Sequence, residues 1–290
     1  MATPRQIRSR IRVAKNIQQI TRAMKMVAAA RLRRAQEAVG AARPYAEKMR
    51  EVLQSLSSGG TEGIQHPLLR RPVGDAKSIT VILVTADRGL CGAYNSNVIR
   101  KAAELVKPYG PENVKFVCIG KKGAVFFRRR GYTIVGEHGV PTKGVKFADA
   151  QLLARAGREL FEQGATDALF LVYTQFFSAM TQRTRTIQVL PIDPVSVESG
   201  TTSSPLDYIF EPDPEVLLES LLPRYVDTQV FQAIIESVAS EYGAKMTSMS
   251  NATDNAGKMI TGYTMSLNRA RQATITKEIA EIVGGAEALK

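Results

Sequence analysis

The sequence predicts an α/β protein, a mainly parallel sheet domain joined to a long antiparallel coiled coil made by its N- and C-terminal helices. Three observations predict it. Proline and glycine are concentrated in the middle: between Arg5 and Leu56 there is one of each (Gly40 and Pro44), and no proline follows Pro223. Apolar residues repeat every 3.5 positions at both ends, the period of a coiled-coil seam. Between them, short apolar runs alternate with helical patterns, which is the signature of βαβ units.

The first helix is expected over residues 5–56. Its seam is Ala28, Leu32, Ala35, Val39, Ala42, Ala46, Met49, Leu53 and Leu56. Backwards, the register passes Ile7, Ile11 and Ala14 and weakens at Gln18, Thr21 and Lys25. Pro44 lies inside it and predicts a bend or a lost hydrogen bond. Near the other end the same period runs through Ile235, Ala239, Tyr242, Met246, Met249, Thr253, Ala256, Ile260, Tyr263, Leu267, Ala270 and Thr274. That helix is expected over residues 212–286. Two such stripes pair most simply with each other, antiparallel. At roughly 1.5 Å per residue the helices would be about 78 and 112 Å long, so from a common base residues 264–286 would project alone. Ile275, Ile279, Ile282 and Val283 would then need cover.

In the middle, strands are expected at residues 79–85, 114–119, 132–135, 168–173 and 185–190, the last pairing antiparallel with its predecessor. Helices are expected at 95–107, 121–130 and 147–163, the third burying Leu152, Leu153, Ala156 and Leu160. The division is therefore 1–56 for the N-terminal helix, 57–206 for the globular part and 207–290 for the C-terminal helix.

Charge narrows the function. Of the net charge of +12, residues 1–56 carry +10, and ten cations precede Glu37, the first acid. Such an end calls for an acidic or polyanionic partner. A basic coiled-coil protein that binds nucleic acid is one reading, but there is no tryptophan and no interleaving of aromatics with cations. A nucleotide-dependent α/β enzyme is another, resting on the turn after the first strand, with Gly89 and Gly92. Neither phosphate-loop pattern is present. The simpler reading of Asp87, Arg88, Gly89 and Gly92 is a structural turn, with Asp87 capping backbone amides. Cys91 lacks a supporting histidine, since His66 and His138 both read as loop residues. Neither a metal nor a cofactor is expected. No apolar run approaches the roughly 18 residues of a membrane span, and nothing reads as a signal peptide.

Three motifs carry a resemblance: residues 7–11 (IRSRI) leading into 20–29 (ITRAMKMVAA), residues 87–95 (DRGLCGAYN), and residues 268–279 (NRARQATITKEI) followed by 281–286 (EIVGGA). Together they resemble the gamma-subunit family of F-type ATP synthases, bacterial type, along the whole chain and in order. The resemblance implies a rotor shaft with a Rossmann-like globular foot. It would couple proton or sodium flow through a membrane ring to ATP synthesis or hydrolysis, with no active site of its own. The implied partners are three alpha and three beta subunits, epsilon, the c-subunit ring and, as a further candidate, delta, but no nucleic acid. The implied place is peripheral, on the cytoplasmic face of a bacterial cell membrane. Contacts with beta would come from Met24, Lys25, Met26, Arg31, Arg33, Arg34, Asn268, Arg269, Arg271, Gln272, Thr276 and Glu278. Ile279, Ile282 and Val283 would form an apical bearing.

Overall fold

A computed structural model describes residues 3–58, 66–70, 72, 74, 76–141, 144–192 and 214–287. The elements in order are α1 (Pro4–Ser58), β1 (Ile79–Val84), α2 (Tyr94–Val106), β2 (Val114–Ile119), α3 (Lys121–Arg128), β3 (Thr133–His138), α4 (Phe147–Glu162), β4 (Ala168–Phe176), β5 (Gln182–Leu190) and α5 (Pro214–Glu287). The chain forms two compact units, Met1–Ala29 with Lys245–Lys290, and Ala30–Ala244.

The larger unit is built on one five-stranded sheet in the order β3-β2-β1-β4-β5. β1 pairs parallel with β2 and β4, β2 parallel with β3, and β5 runs antiparallel to β4 at the edge. Every residue of β1 is buried, as required of a strand covered on both faces. On one face Ile79, Val81, Leu83 and Phe116 pack with Val98 and Ala102 of α2 and Ala124 and Phe127 of α3. Phe116 and Phe127 stack with ring centroids 4.2 Å apart. On the other face Ile82, Val84, Leu169 and Leu171 pack with α4. Met49, Leu53 and Leu56 of α1 and Leu218, Leu222, Val226 and Val230 of α5 close this core. The α4 face differs from expectation by a fraction of a turn: Ala150, Leu153, Ala154, Gly157 and Phe161 are buried, while Leu152 is exposed. Small residues sit innermost because α4 lies close on the sheet, and a Cβ at Gly157 would stand 2.9 Å from Leu169.

The smaller unit is a two-helix seam. Ile7, Ala14, Thr21 and Ala28 of α1 are buried, and Ile11 and Gln18 half-buried. Opposite them Met249 and Ala256 are buried, and Thr253, Ile260, Tyr263, Leu267 and Ala270 half-buried. The inward register therefore does not lapse at Gln18 and Thr21. It becomes polar there: Thr253 Oγ1 donates to Thr21 Oγ1 at 2.8 Å, and Lys25 Nζ donates to Ser250 Oγ at 3.0 Å. Gln18 lies against Gly257, where a Cβ would stand 3.1 Å from its Nε2.

These pairs correct the expected projection. With Thr21 beside Thr253, the start of α1 falls opposite about Ala270, and only from Arg271 onward is every described side chain exposed. The projecting segment is thus 271–285, shorter than expected, because α1 extends beyond residues 5–56 at both ends. At Pro44 the second of the two expected outcomes holds, since α1 continues through it with one hydrogen bond lost. Pro44 and Gly40, whose carbonyl loses its N–H partner, are both exposed, so water can satisfy that group.

Two outcomes follow from this packing. Ala28→Glu, at a site 2% exposed, places a charge in the seam and lowers unfolding free energy by several kcal/mol in a urea melt. Asp167 accepts hydrogen bonds from Ser78 N and Lys77 N, each 2.8 Å. The Ser78 amide above all, helped by Lys77, the Ser78 hydroxyl and the charge of Arg70 and opposed by burial, holds its carboxyl below the usual value. A depressed acid stabilises the fold above its unfolded pKa of 3.8, and that contribution is lost as pH falls through the lower folded value. Asp167→Asn should flatten the acid limb of stability measured against pH.

Candidate functional site

In a sheet of this order a ligand would sit outside the carboxyl ends of β1 and β4, where successive connections turn to opposite faces. The turn after β1 occupies that place. Thr85 N donates to Ile119 O at 2.7 Å, and Thr85 Oγ1 accepts from Gly123 N at 3.0 Å. Asp87 ties two further segments to the turn: Oδ1 accepts from Lys121 N at 3.2 Å and Oδ2 from Val140 N at 3.0 Å. Asn95 closes it, its Oδ1 accepting from Ala86 N at 2.9 Å and its Nδ2 donating to Arg88 O at 3.4 Å. Gly92 (φ 55°) and, unusually for its size, Leu90 (φ 65°) adopt left-handed backbone to complete the reversal. Gly120 is held still more tightly, since a Cβ there would stand 2.1 Å from Thr85 O.

Chemically, this arrangement excludes a phosphate. The amides that would cradle one already bind the Asp87 carboxylate, whose charge would repel it. The crevice is also filled from α5. Ser237 Oγ accepts from Thr174 N, and Ser240 Oγ donates to Thr174 O, each at 3.2 Å. Tyr94 is buried beside this helix, and burial, with the charge of Glu241 next, pushes its hydroxyl pKa up. Cys91 is buried too, its Sγ 3.2 Å from Asn95 Nδ2, so it presents no nucleophile to a substrate. Among the described residues there is no group of three or more His, Cys, Asp or Glu that could hold a metal ion. His66, expected on a loop, is half-buried and accepts from Leu68 N at 3.1 Å, starting the short 3-10 turn Pro67–Leu69, and burial lowers its pKa.

The other sequence-predicted residues lie on the surfaces of α1 and α5. Lys25 is engaged by Ser250, Arg33 pairs with Glu37 at 3.3 Å, and Arg31 reaches the Tyr242 hydroxyl at 3.3 Å. Arg34 and Met26 are exposed and Met24 is half-buried. Asn268, Arg269, Arg271, Gln272, Thr276 and Glu278 are all exposed, as are Ile279, Ile282 and Val283. The structure brings the C-terminal group together on one helical segment and separates it from the Asp87 turn, which belongs to the larger unit. One surface escaped the sequence reading. Val13, Ile17, Ile20 and Val27 are exposed and, with half-buried Met24, form a second 3.5-residue stripe on α1. Its period was present in the sequence beside the seam's.

The family profile described as ATP synthase matches residues 3–289. A protein of Heliobacterium modesticaldum called ATP synthase gamma chain is 48% identical over 291 residues, covering 98% of each chain. One of the same name from Desulforamulus reducens is 46% identical over the full length of both. The chain belongs to the ATP synthase gamma-chain family. Among solved structures, a chain of the Euglena gracilis mitochondrial ATP synthase superposes with a TM-score of 0.69 at 19% identity, covering 99% of this chain and 94% of its own. A second, from the rotor of that enzyme, gives 0.65 at 18% identity, covering 94% and 98%. These two chains therefore share the fold described above, with its mostly parallel sheet and two terminal helices.

The hydrogen bonds that Asp87 accepts from two other segments can be tested for their contribution to stability. Asp87→Ala removes the acceptor of two backbone amides and should lower unfolding free energy by about 2 kcal/mol in a denaturant melt. Arg88→Ala, at an exposed side chain of the same turn, should change it by less than about 0.5 kcal/mol.

Proposed function

We infer that this chain is the central rotor shaft of an F-type ATP synthase. It couples ion flow through a membrane ring to ATP synthesis or hydrolysis in a ring of three alpha and three beta subunits. The observation that carries the reading is the pattern of exposure in the smaller unit. One stripe of α1 is closed on α5, while a second apolar stripe and the whole of 271–285 stand open. Exposed isoleucines at 275, 279 and 282 on a lone helix call for an enclosing sleeve, which the proposed ring of alpha and beta subunits would supply. The shaft has no active site of its own, which agrees with the filled crevice of the sheet.

A shaft transmits force only if its faces differ, so that each surrounding subunit meets a different surface at each angle. Here the cations lie on α1 and mixed residues on α5. Lys25, Arg31, Arg33 and Arg34 offer charge to acidic loops, an attraction that weakens with salt. The guanidinium of Arg271 and the amide of Gln272 suit directional hydrogen bonds, whereas Ile279, Ile282 and Val283 offer non-directional contact that resists rotation little. Met24, Met26, Asn268, Arg269, Thr276 and Glu278 extend the beta-facing surface. The segments 1–56 and 207–290, through α1 and α5, act as the shaft and 57–206 as the foot, meeting epsilon and the c ring, with delta a further candidate. No described helix is long and apolar enough to cross a membrane, and the foot attaches peripherally, on the cytoplasmic face.

Affinity purification of the tagged chain from membranes should bring down alpha and beta at three copies each per chain, and recovery of nucleic acid in their place would overturn the reading. In reassembled complex of verified stoichiometry, Arg271→Ala combined with Gln272→Ala should lower coupled ATP turnover about tenfold or more, the effect of roughly 1.5–3 kcal/mol per charge-assisted bond. Ile282→Ala should lower it much less. Full activity in the double variant would remove the polar pair from the mechanism.

A further inference from the structure

The stretch between α1 and β1 is fastened to the core of the larger unit at the short turn Pro67–Leu69. Leu68 is buried in the core that holds Phe161 of α4, Leu218 and Leu222 of α5, and Ile192 after β5. Two hydrogen bonds fix it there. Its amide donates to His66 Nδ1 at 3.1 Å, and its carbonyl accepts from Ile192 N at 3.1 Å. Pro67 has no N–H, so the Leu68 amide is the first donor of the turn and His66 is its cap. Arg70 adds another hold, its Nη2 donating to Phe161 O at 3.0 Å and its guanidinium 5.3 Å from the Phe161 ring.

The cap works in one protonation state only. An imidazole accepts at Nδ1 while that nitrogen is bare, and with both nitrogens protonated it would turn a donor toward the Leu68 N–H. Charged groups stand around the ring on three sides: Glu219 on α5, Glu162 on α4, itself 3.4 Å from Arg158, and Arg70 at the end of the turn, whose charge also reaches Asp167. Burial above all lowers the pKa of His66 from 6.5, against the pull of Glu219 and then of Glu162. Protonation therefore takes away the cap and gives the ring two carboxylates to turn toward. We propose that His66 is a proton-operated latch: protonation frees the Leu68 amide, and residues 66–70 lift from α4 and the first turns of α5 while the sheet stays folded. A histidine with a lowered folded pKa stabilises the closed turn fully above its unfolded value of 6.5. That contribution is lost as pH falls below 6.5 toward the folded value. The latch is closed at neutral pH and opens in acid.

Hydrogen exchange of the full chain at pH 7.5 and 5.5, corrected for the intrinsic pH dependence of exchange, tests the proposal at three amides. Leu68 and Ile192 report the turn, and Ile82 in β1 reports the sheet. Opening at Leu68 and Ile192 should rise about fivefold at the lower pH, the effect of losing one N-cap hydrogen bond, with Ile82 unchanged. His66→Asn supplies a side-chain oxygen that caps the same amide and does not titrate, so its protection should be equal at both pH values. His66→Ala should be open about fivefold more at both. Thermal melts at pH 7.5 verify that the variants are folded. Unchanged protection of Leu68 in the parent chain, the same acid loss in His66→Asn, or loss at Ile82 in step with Leu68 would each overturn the proposal.

Discussion

Close approach of two helix backbones is the constraint on which the rest of this structure depends. Ala14 and Ala28 on α1 and Ala256 on α5 are buried in the smaller unit, and Ala46 and Ala239 in the larger. A side chain of that size leaves no slack between helices, so each position in the seam decides which positions face outward. The cations at 25, 31, 33 and 34 and the stripe at 13, 17, 20 and 27 are exposed because the seam has claimed the other faces. Polar and apolar surface alike is distributed by that one pairing.

The sheet shows a familiar architecture with its usual ligand position taken by the protein itself. A carboxylate, Asp87, holds the backbone amides at Lys121 and Val140. Serines of α5 take the amide and carbonyl of Thr174 at the end of β4. Both substitutions replace a diffusible anion by groups fixed to the chain, which trades chemistry for rigidity. Fold and function are thereby separable here: the same sheet order serves as a joint.

The central strands β1 and β2 were legible because their residues are largely apolar on both faces, and β2 starts and ends where its Val114–Ile119 run does. The terminal helices were legible from the seam period. Leu152 was not, because hydrophobicity alone cannot tell the packed side of α4 from a tolerated exposed leucine, whereas Ala150 and Gly157 mark the close face only once the sheet is present. The starting point of the projecting segment was misjudged because helix length says nothing of register, which Thr21 and Thr253 set from 232 positions apart. The motifs at Asp87 and at 268–279 could be read at all because each is contiguous in the chain.

The polar interruption of the seam at Gln18, Thr21, Ser250 and Thr253 has a mechanical meaning. A uniformly apolar stripe is nearly degenerate: sliding one helix by a heptad re-buries almost the same area, so the pair would creep under axial or twisting load. A hydroxyl pair and an ammonium–hydroxyl contact match in one alignment only, and displacement by a heptad would leave those polar groups against hydrocarbon. They act as a key in a keyway, giving up some burial so that the two strands of the shaft turn as one piece.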